Sequence, residues 1–284
     1  MTTTASPAAP PRRLILCADD YGLAPGVDDA ILDLIGRGRL NATSVMVLPK
    51  TFSTAEAERL AATAQGRAEI GLHVTLTAPF RPLTAGFGPL AGDGSFLPIG
   101  RMLVASFATP IDRGAVAREV DAQMAAFVAA FGRPPDYVDG HQHVHLLPGV
   151  REAVLAAAQR ANPGGWVRQC GQVTSALKRL RDPKSLLLDR LSGAFRRLAE
   201  TFGVATNPAF AGTYTFKPGT DYAALFPGFL KDLPDGALVM CHPGRVDAEL
   251  ARLDPLTDLR ETEYAYLSGD ACPAALARAG FTLA

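Results

Sequence analysis

Asp139-Gly140-His141-Gln142-His143-Val144-His145 is the stretch around which the chain is organised. On a β-strand, residues two apart point the same way. Read as a strand, the stretch puts Asp139, His141, His143 and His145 on one face. Three imidazoles and a carboxylate are poor core material, because each buried polar group needs a partner. They are good metal-site material. At ~3.3 Å per residue, Asp139 and His145 lie roughly 20 Å apart on such a strand, so one ion cannot collect all four. One or two neighbours are expected to ligate it, and the rest to support the ligands or meet substrate.

Working outward, short apolar runs alternate with helical patterns. Leu14 to Ala18 has the length of a buried strand and stops at Asp19-Asp20-Tyr21-Gly22. Pro25 opens a helix carrying Val27, Ile31, Leu34 and Ile35 on one face. Thr43 to Leu48 is a second strand. Ser53 or Thr54 caps an Ala-rich helix that runs to about Ala64. Glu69 to Leu76 is a third strand, containing His73. From Thr77 to Asp112, prolines and glycines alternate, which predicts a long loop with Phe80, Phe87 and Phe96 as an apolar underside. Val116 to Phe131 follows at helical spacing.

Beyond the histidine stretch, helices are expected over Pro148 to Ala161, Lys184 to Phe202, Asp221 to Leu230 and Pro273 to Ala279. Strands are expected at Trp166 to Cys170, Phe210 to Phe216, Ala237 to Cys241 and Phe281 to Leu283. Arg190, Arg196 and Arg197 read as a solvated helix face. Strands alternating with helices give a parallel α/β fold. Seven or eight strands in one domain predict a barrel rather than an open sheet.

Composition closes off other classes. The 284 residues suffice for one large domain, and 48% are apolar, as in an ordinary globular protein. The formal net charge is zero and no long basic run occurs, which argues against nucleic acid as a partner. No stretch of 18 apolar residues is present, so no membrane span is expected. Residues 1–13 read as a disordered N-terminal tail without the apolar core of a secretory signal. The expected domain is therefore residues 14–284, in a cytoplasmic protein. The sequence does not fix the oligomeric state, and a homo-oligomer is compatible with it. Cys17, Cys170, Cys241 and Cys272 form no CxxC pair and read as buried thiols.

All five histidines, His73, His141, His143, His145 and His242, lie at or beside strand ends, as does the Asp19-Asp20 pair. In parallel α/β folds the C-terminal strand ends converge on the functional face. Asp19, Asp20, His73, His141 and His242 are thus expected in one pocket. Two histidines and one carboxylate make an open metal site, and the second carboxylate of the pair is then free to act as a base.

Four blocks, Ala18 to Leu23, Gly71 to Thr77, Asp139 to His145 and Val239 to Gly244, resemble the YdjC-like carbohydrate deacetylases in identity and order. That group includes chitooligosaccharide deacetylases and the hopanoid-associated HpnK proteins. A weaker echo runs from Arg260-Glu261 to Leu267. The resemblance implies a single-domain, distorted TIM-like (β/α) barrel, a divalent metal (Mg²⁺ or Zn²⁺) and hydrolysis of an N-acetyl group from an acetylated sugar or oligosaccharide. By matching position, it implies Asp20, His73 and His141 as metal ligands, Asp19 as catalytic base and His242 as general acid. It makes Arg168 a substrate contact. Asp139 and His143 would orient the ligands, or His143 would itself join the metal. Gly140 stands where Ser is common in the family, a difference expected to alter only local hydrogen bonding. A phosphoesterase on the same barrel and a non-catalytic carbohydrate-binding protein are the alternatives.

Overall fold

The computed structural model of the chain describes residues 10–108, 111–172, 183–254 and 257–283. In chain order the elements are β1 (Arg12–Tyr21), α1 (Pro25–Gly36), β2 (Ala42–Val45), α2 (Thr54–Ala64), β3 (Glu69–Val74), α3 (Ile99–Ala108), α4 (Arg113–Phe131) and β4 (Tyr137–Gly140). Then follow α5 (Arg151–Ala161), β5 (Trp166–Val167), α6 (Pro183–Phe202), β6 (Ala205–Thr206), β7 (Phe210–Ala211) and α7 (Tyr222–Phe229). The chain closes with β8 (Ala237–Cys241), α8 (Ala248–Leu253), α9 (Asp258–Ser268), α10 (Ala271–Arg278) and β9 (Phe281–Leu283).

All strand pairings are parallel, in the order β6-β5-β4-β3-β2-β1-β8-β7, with β9 added on β1. Among the described residues no ladder joins β6 to β7, so the curled sheet, surrounded by helices, is a distorted TIM-like barrel. Leu14, Leu16 and Ala18 of β1 and Leu238 to Met240 of β8 are buried, as runs of strand length with apolar residues predict. The helix ends follow local chemistry. Ser53 caps α2 by accepting from the Glu56 amide. Asp112 caps α4, which ends at Gly132 in the left-handed conformation. Phe127 of α4 is fully buried, a contribution of about 1.5–3 kcal/mol. All four cysteines are free and buried, as expected. Arg190, Arg196 and Arg197 are exposed on α6. No helix among the described residues is long and apolar enough to cross a membrane.

The structure departs from the sequence reading in four places. The histidine stretch is not one strand. The β4 ladder ends where Gly140 pairs with Val74, the last residue of β3. Beyond that point no neighbouring strand is available to satisfy backbone groups. His141–Leu146 instead closes on itself in 3₁₀ turns, with Gln142 and His143 at φ 53° and 59°. The four polar residues therefore do not share a strand face.

The second departure is α3, which occupies Ile99–Ala108 inside the expected loop. The loop before it does have the expected apolar underside: Phe80, Phe87 and Phe96 are buried, and Phe87 meets Phe96 edge-on at 4.9 Å. Buried Glu119 of α4 anchors it by accepting from the Leu83 and Thr84 amides. Third, strand structure at Phe210 stops at Ala211, and β6, α8 and α9 are additional elements. Fourth, residues 1–9 of the expected tail lie outside the described residues, whereas Arg12 and Arg13 open β1 and pair with Phe281 and Thr282.

Candidate active site

The site forms where β1, β3, β4, β5 and β8 end. On β1, Ala18 lies opposite Thr43 and Tyr21 opposite Val45. Three steps on β1 match two on β2, so β1 carries one extra residue, a β-bulge. Asp20 takes the strained position, with φ 75°. The bulge sends the two neighbouring carboxylates to different partners.

Asp20 Oδ1 lies 2.9 Å from His141 Nδ1 and 3.4 Å from His73 Nε2. Its other oxygen accepts from Arg260 Nη2 at 2.6 Å. His73 is buried, and its Nδ1 is 2.5 Å from Asp139 Oδ1. Burial is the largest influence on His73 and works to lower its pKa, but the charge and hydrogen bond of Asp139, with Asp20 and Asp19, outweigh it and raise the pKa to about 10. Asp20 is likewise subject first to burial, which raises its pKa, yet His141 and Arg260 hold it well below the usual carboxylate range.

Asp19 faces a different group. Arg168, fully buried at the end of β5, donates Nη1 to Asp19 Oδ2 and Nη2 to Asp19 Oδ1, both at 2.7 Å. The same Nη2 lies 2.6 Å from Asp139 Oδ2. Burial pushes the Asp19 carboxyl up, but the Arg168 charge and hydrogen bonds, helped by His73 and His242, keep it below its ordinary value. His242 Nε2 lies 4.0 Å from Asp19 Oδ2, too far for a hydrogen bond, so the two groups flank one space. The His242 amide donates to Glu263 Oε2 at 2.6 Å.

Five expected site residues therefore converge: Asp19, Asp20, His73, His141 and His242. Asp139 joins them from behind, tying His73 to Arg168. Arg168 is fully buried and held between two carboxylates, Asp19 and Asp139. His143 has its Nδ1 3.5 Å from Cys170 Sγ and its ring edge-on to Phe210, and burial pushes its pKa down to about 3. His145 is buried, with Nε2 2.8 Å from the Arg168 carbonyl, and burial lowers its pKa to about 4. His145 also explains Gly140. A Cβ there would lie 3.0 Å from His145 N and Nδ1, so packing as well as hydrogen bonding sets this position.

Among the described residues, two clusters have metal-ligand composition. In Asp20, His73 and His141 the donor atoms lie within 4.8 Å of one another, and the same holds for Cys17, Asp19 and Asp139. The second cluster already holds a cation, because Arg168 Nη2 reaches Cys17 Sγ at 3.0 Å as well as both carboxylates. Burial also pushes the Cys17 thiol up, away from the thiolate that a metal needs. The first cluster fits a cation. One carboxylate and two imidazoles converge, His73 is oriented by Asp139 and Asp20 by Arg260. His141 is partly exposed, so the cluster opens to solvent on that side.

Sequence reasoning did not single out Ser44, Arg260 or Glu263 as site residues. Ser44 donates to Asp139 Oδ2 at 2.6 Å. Arg260 and Glu263 are buried on α9, where Glu263 also accepts from Tyr214 OH at 2.6 Å. A signal was present: with Leu259 and Leu267 they occupy positions i, i+1, i+4 and i+8 of one helical stripe.

A family model described as YdjC-like protein matches residues 13–278. The chain is 36% identical over 153 residues to a carbohydrate deacetylase from Homo sapiens, covering 53% of this chain and 46% of that protein. It is 34% identical over 147 residues to a chitooligosaccharide deacetylase from Yersinia pestis (strain Pestoides F), covering 51% and 55%. The chain thus spans about half the length of the curated relatives it matches. Among solved structures, a protein of Enterococcus faecalis V583 described as a candidate for cellobiose-phosphate cleavage superposes with a TM-score of 0.74 at 22% identity, covering 96% of this chain and 97% of that one. At that identity the likeness speaks for the fold alone.

Proposed function

Because the chain belongs to the YdjC-like family, we propose that it is a metal-dependent hydrolase that removes the N-acetyl group of an acetylated amino sugar or oligosaccharide. One observation carries this reading. A cluster fit for a cation, Asp20-His73-His141, adjoins a carboxylate and an imidazole, Asp19 and His242, that flank a single space. The names of the human and Yersinia relatives supply the substrate class.

A divalent cation held by Asp20, His73 and His141 supplies Lewis-acid polarisation of the acetyl carbonyl and a lowered pKa for the attacking water. Two imidazoles among three donors favour zinc over magnesium. The reaction joins a water oxygen to the acetyl carbon and breaks the C–N bond, giving acetate and a free amine. Asp19, ionised under its Arg168 clamp, accepts the water proton at Oδ2, the oxygen that faces His242. His242 delivers a proton from Nε2 to the departing nitrogen. Asp139 holds His73 in one orientation, and Arg260 does the same for Asp20. Arg168 positions Asp19 and Asp139 together and, by filling the second acidic cluster, leaves one cation site among the described residues. That count disfavours the adjacent ion pair of a two-metal phosphoesterase.

The test is acetate release from N-acetylglucosamine oligomers before and after chelation, with a phosphate monoester as control. Acetate release that is lost on chelation and restored by zinc or magnesium is expected. Release of phosphate instead, or acetate release untouched by complete metal removal, overturns the reading.

A further inference from the structure

Phe216 is a large apolar side chain left 38% exposed, and among the described residues it is the one such aromatic ring in contact with a site residue. Its ring meets His242 edge-on at 5.5 Å. The segment that carries it is fixed rather than loose. Gly212, at φ 102°, lies so close to β8 that a Cβ would come within 2.2 Å of the Met240 carbonyl oxygen. Thr213 Oγ1 accepts from Gln172 Nε2 at 2.6 Å, and Tyr214 OH donates to buried Glu263. The Tyr214 ring packs on Phe216 at 4.2 Å and backs onto Tyr222 and Phe229. Phe216 is thus the open end of an aromatic row anchored through Glu263, the residue that also holds the His242 amide. A single exposed apolar side chain is ordinary on a surface, and Phe216 is set apart by being held rigidly against His242.

We propose that Phe216 is the apolar wall of a subsite that seats the sugar ring bearing the acetylamino group. The proposal rests on His242 being the proton donor. The departing nitrogen must then come within roughly 3 Å of His242 Nε2. The ring carbon bonded to that nitrogen is about 1.5 Å farther, which brings the sugar ring against the side chain packed on His242. The negative face of an aromatic ring attracts the C–H groups that a pyranose presents on its apolar face. A linear acylamine has no such face to stack. The structure therefore assigns to Phe216 a preference for cyclic amino sugars.

The experiment measures binding of glucosamine oligomers, the unreactive product class, by calorimetry to wild type, Phe216→Ala and Phe216→Trp. KM for N-acetylglucosamine oligomers, metal content and thermal midpoint are followed in parallel. Phe216→Ala is expected to weaken Kd by roughly 3- to 10-fold and to raise KM more than it lowers kcat, with metal content retained and Phe216→Trp close to wild type. Unchanged Kd and KM in Phe216→Ala, with wild type active, overturn the subsite and leave the proposed function standing. Wild type that neither binds glucosamine oligomers nor releases acetate overturns both.

Discussion

Arg168→Met is the most informative single perturbation. Its guanidinium lies 2.7 Å from both oxygens of Asp19 and 2.6 Å from Asp139, and the three residues are 0%, 3% and 0% exposed. Methionine fills much of the volume but leaves two carboxylates facing each other without a cation. Removing one partner of a buried ion pair costs about 3–5 kcal/mol, against about 5–15 kcal/mol for a whole domain, so the variant should fold but lose much of its margin. The pH dependence carries a sign. In wild type, Asp19 has a folded pKa below its unfolded value. Its stabilisation is present above about pH 4 and is lost as pH falls further. Without Arg168, burial dominates and raises the Asp19 and Asp139 pKa values above their unfolded values. Their ionisation then destabilises the fold at neutral pH, and acid relieves it. Urea unfolding of chelated protein, followed by far-UV circular dichroism at pH 7 and pH 5, should show a deficit that narrows towards acid. A deficit under about 1 kcal/mol, as for an exposed pair, or one independent of pH, would refute the reasoning.

Three further outcomes are expected. Asp19→Asn should keep its metal but turn over ~10²–10⁴-fold more slowly, whereas Asp20→Asn should lose metal affinity; calorimetric titration beside acetate-release rates separates them, and equal metal loss in both would make the pair joint ligands. Cation binding should release about one proton at pH 7 to 8, because His73 is protonated up to about pH 10 and must free Nε2 for the ion; titration in buffers of different ionisation heat reads this, and no proton release would contradict it. His141→Ala should lose metal, while His145→Ala should keep it and lose about 1–3 kcal/mol of stability through the unpaired Arg168 carbonyl; metal content and urea midpoints give the answer.

How far the sequence reveals this protein depends on whether the signal is local. The β1-α1-β2-α2-β3 half is legible because apolar runs, Pro25 and the Ser53 cap each act on neighbouring residues. Convergence of Asp19, Asp20, His73, His141 and His242 is legible because each ends a parallel strand. The histidine stretch misleads because alternation at every second residue imitates a strand, while the real end of β4 is set by the length of β3. The bulge that separates Asp19 from Asp20 is invisible, since the register belongs to the β1-β2 pair. Helix α3 hides because it starts just after Pro98, inside a stretch whose alternating prolines and glycines read as loop. Arg260 and Glu263 are not legible as site residues, because no helix is expected where α9 lies. Only their partners, Asp20 and the His242 amide, make them interior, and both lie elsewhere in the chain.

The central claim is that Asp20, His73 and His141 hold one divalent cation. A crystal soaked with zinc and measured at the zinc absorption edge tests it most directly. The account predicts a single anomalous peak about 2.0–2.2 Å from Asp20 Oδ1, a His73 nitrogen and a His141 nitrogen, with Arg168 still seated between Asp19 and Asp139. A peak among Cys17, Asp19 and Asp139 with Arg168 displaced, or no peak at either cluster, would contradict it.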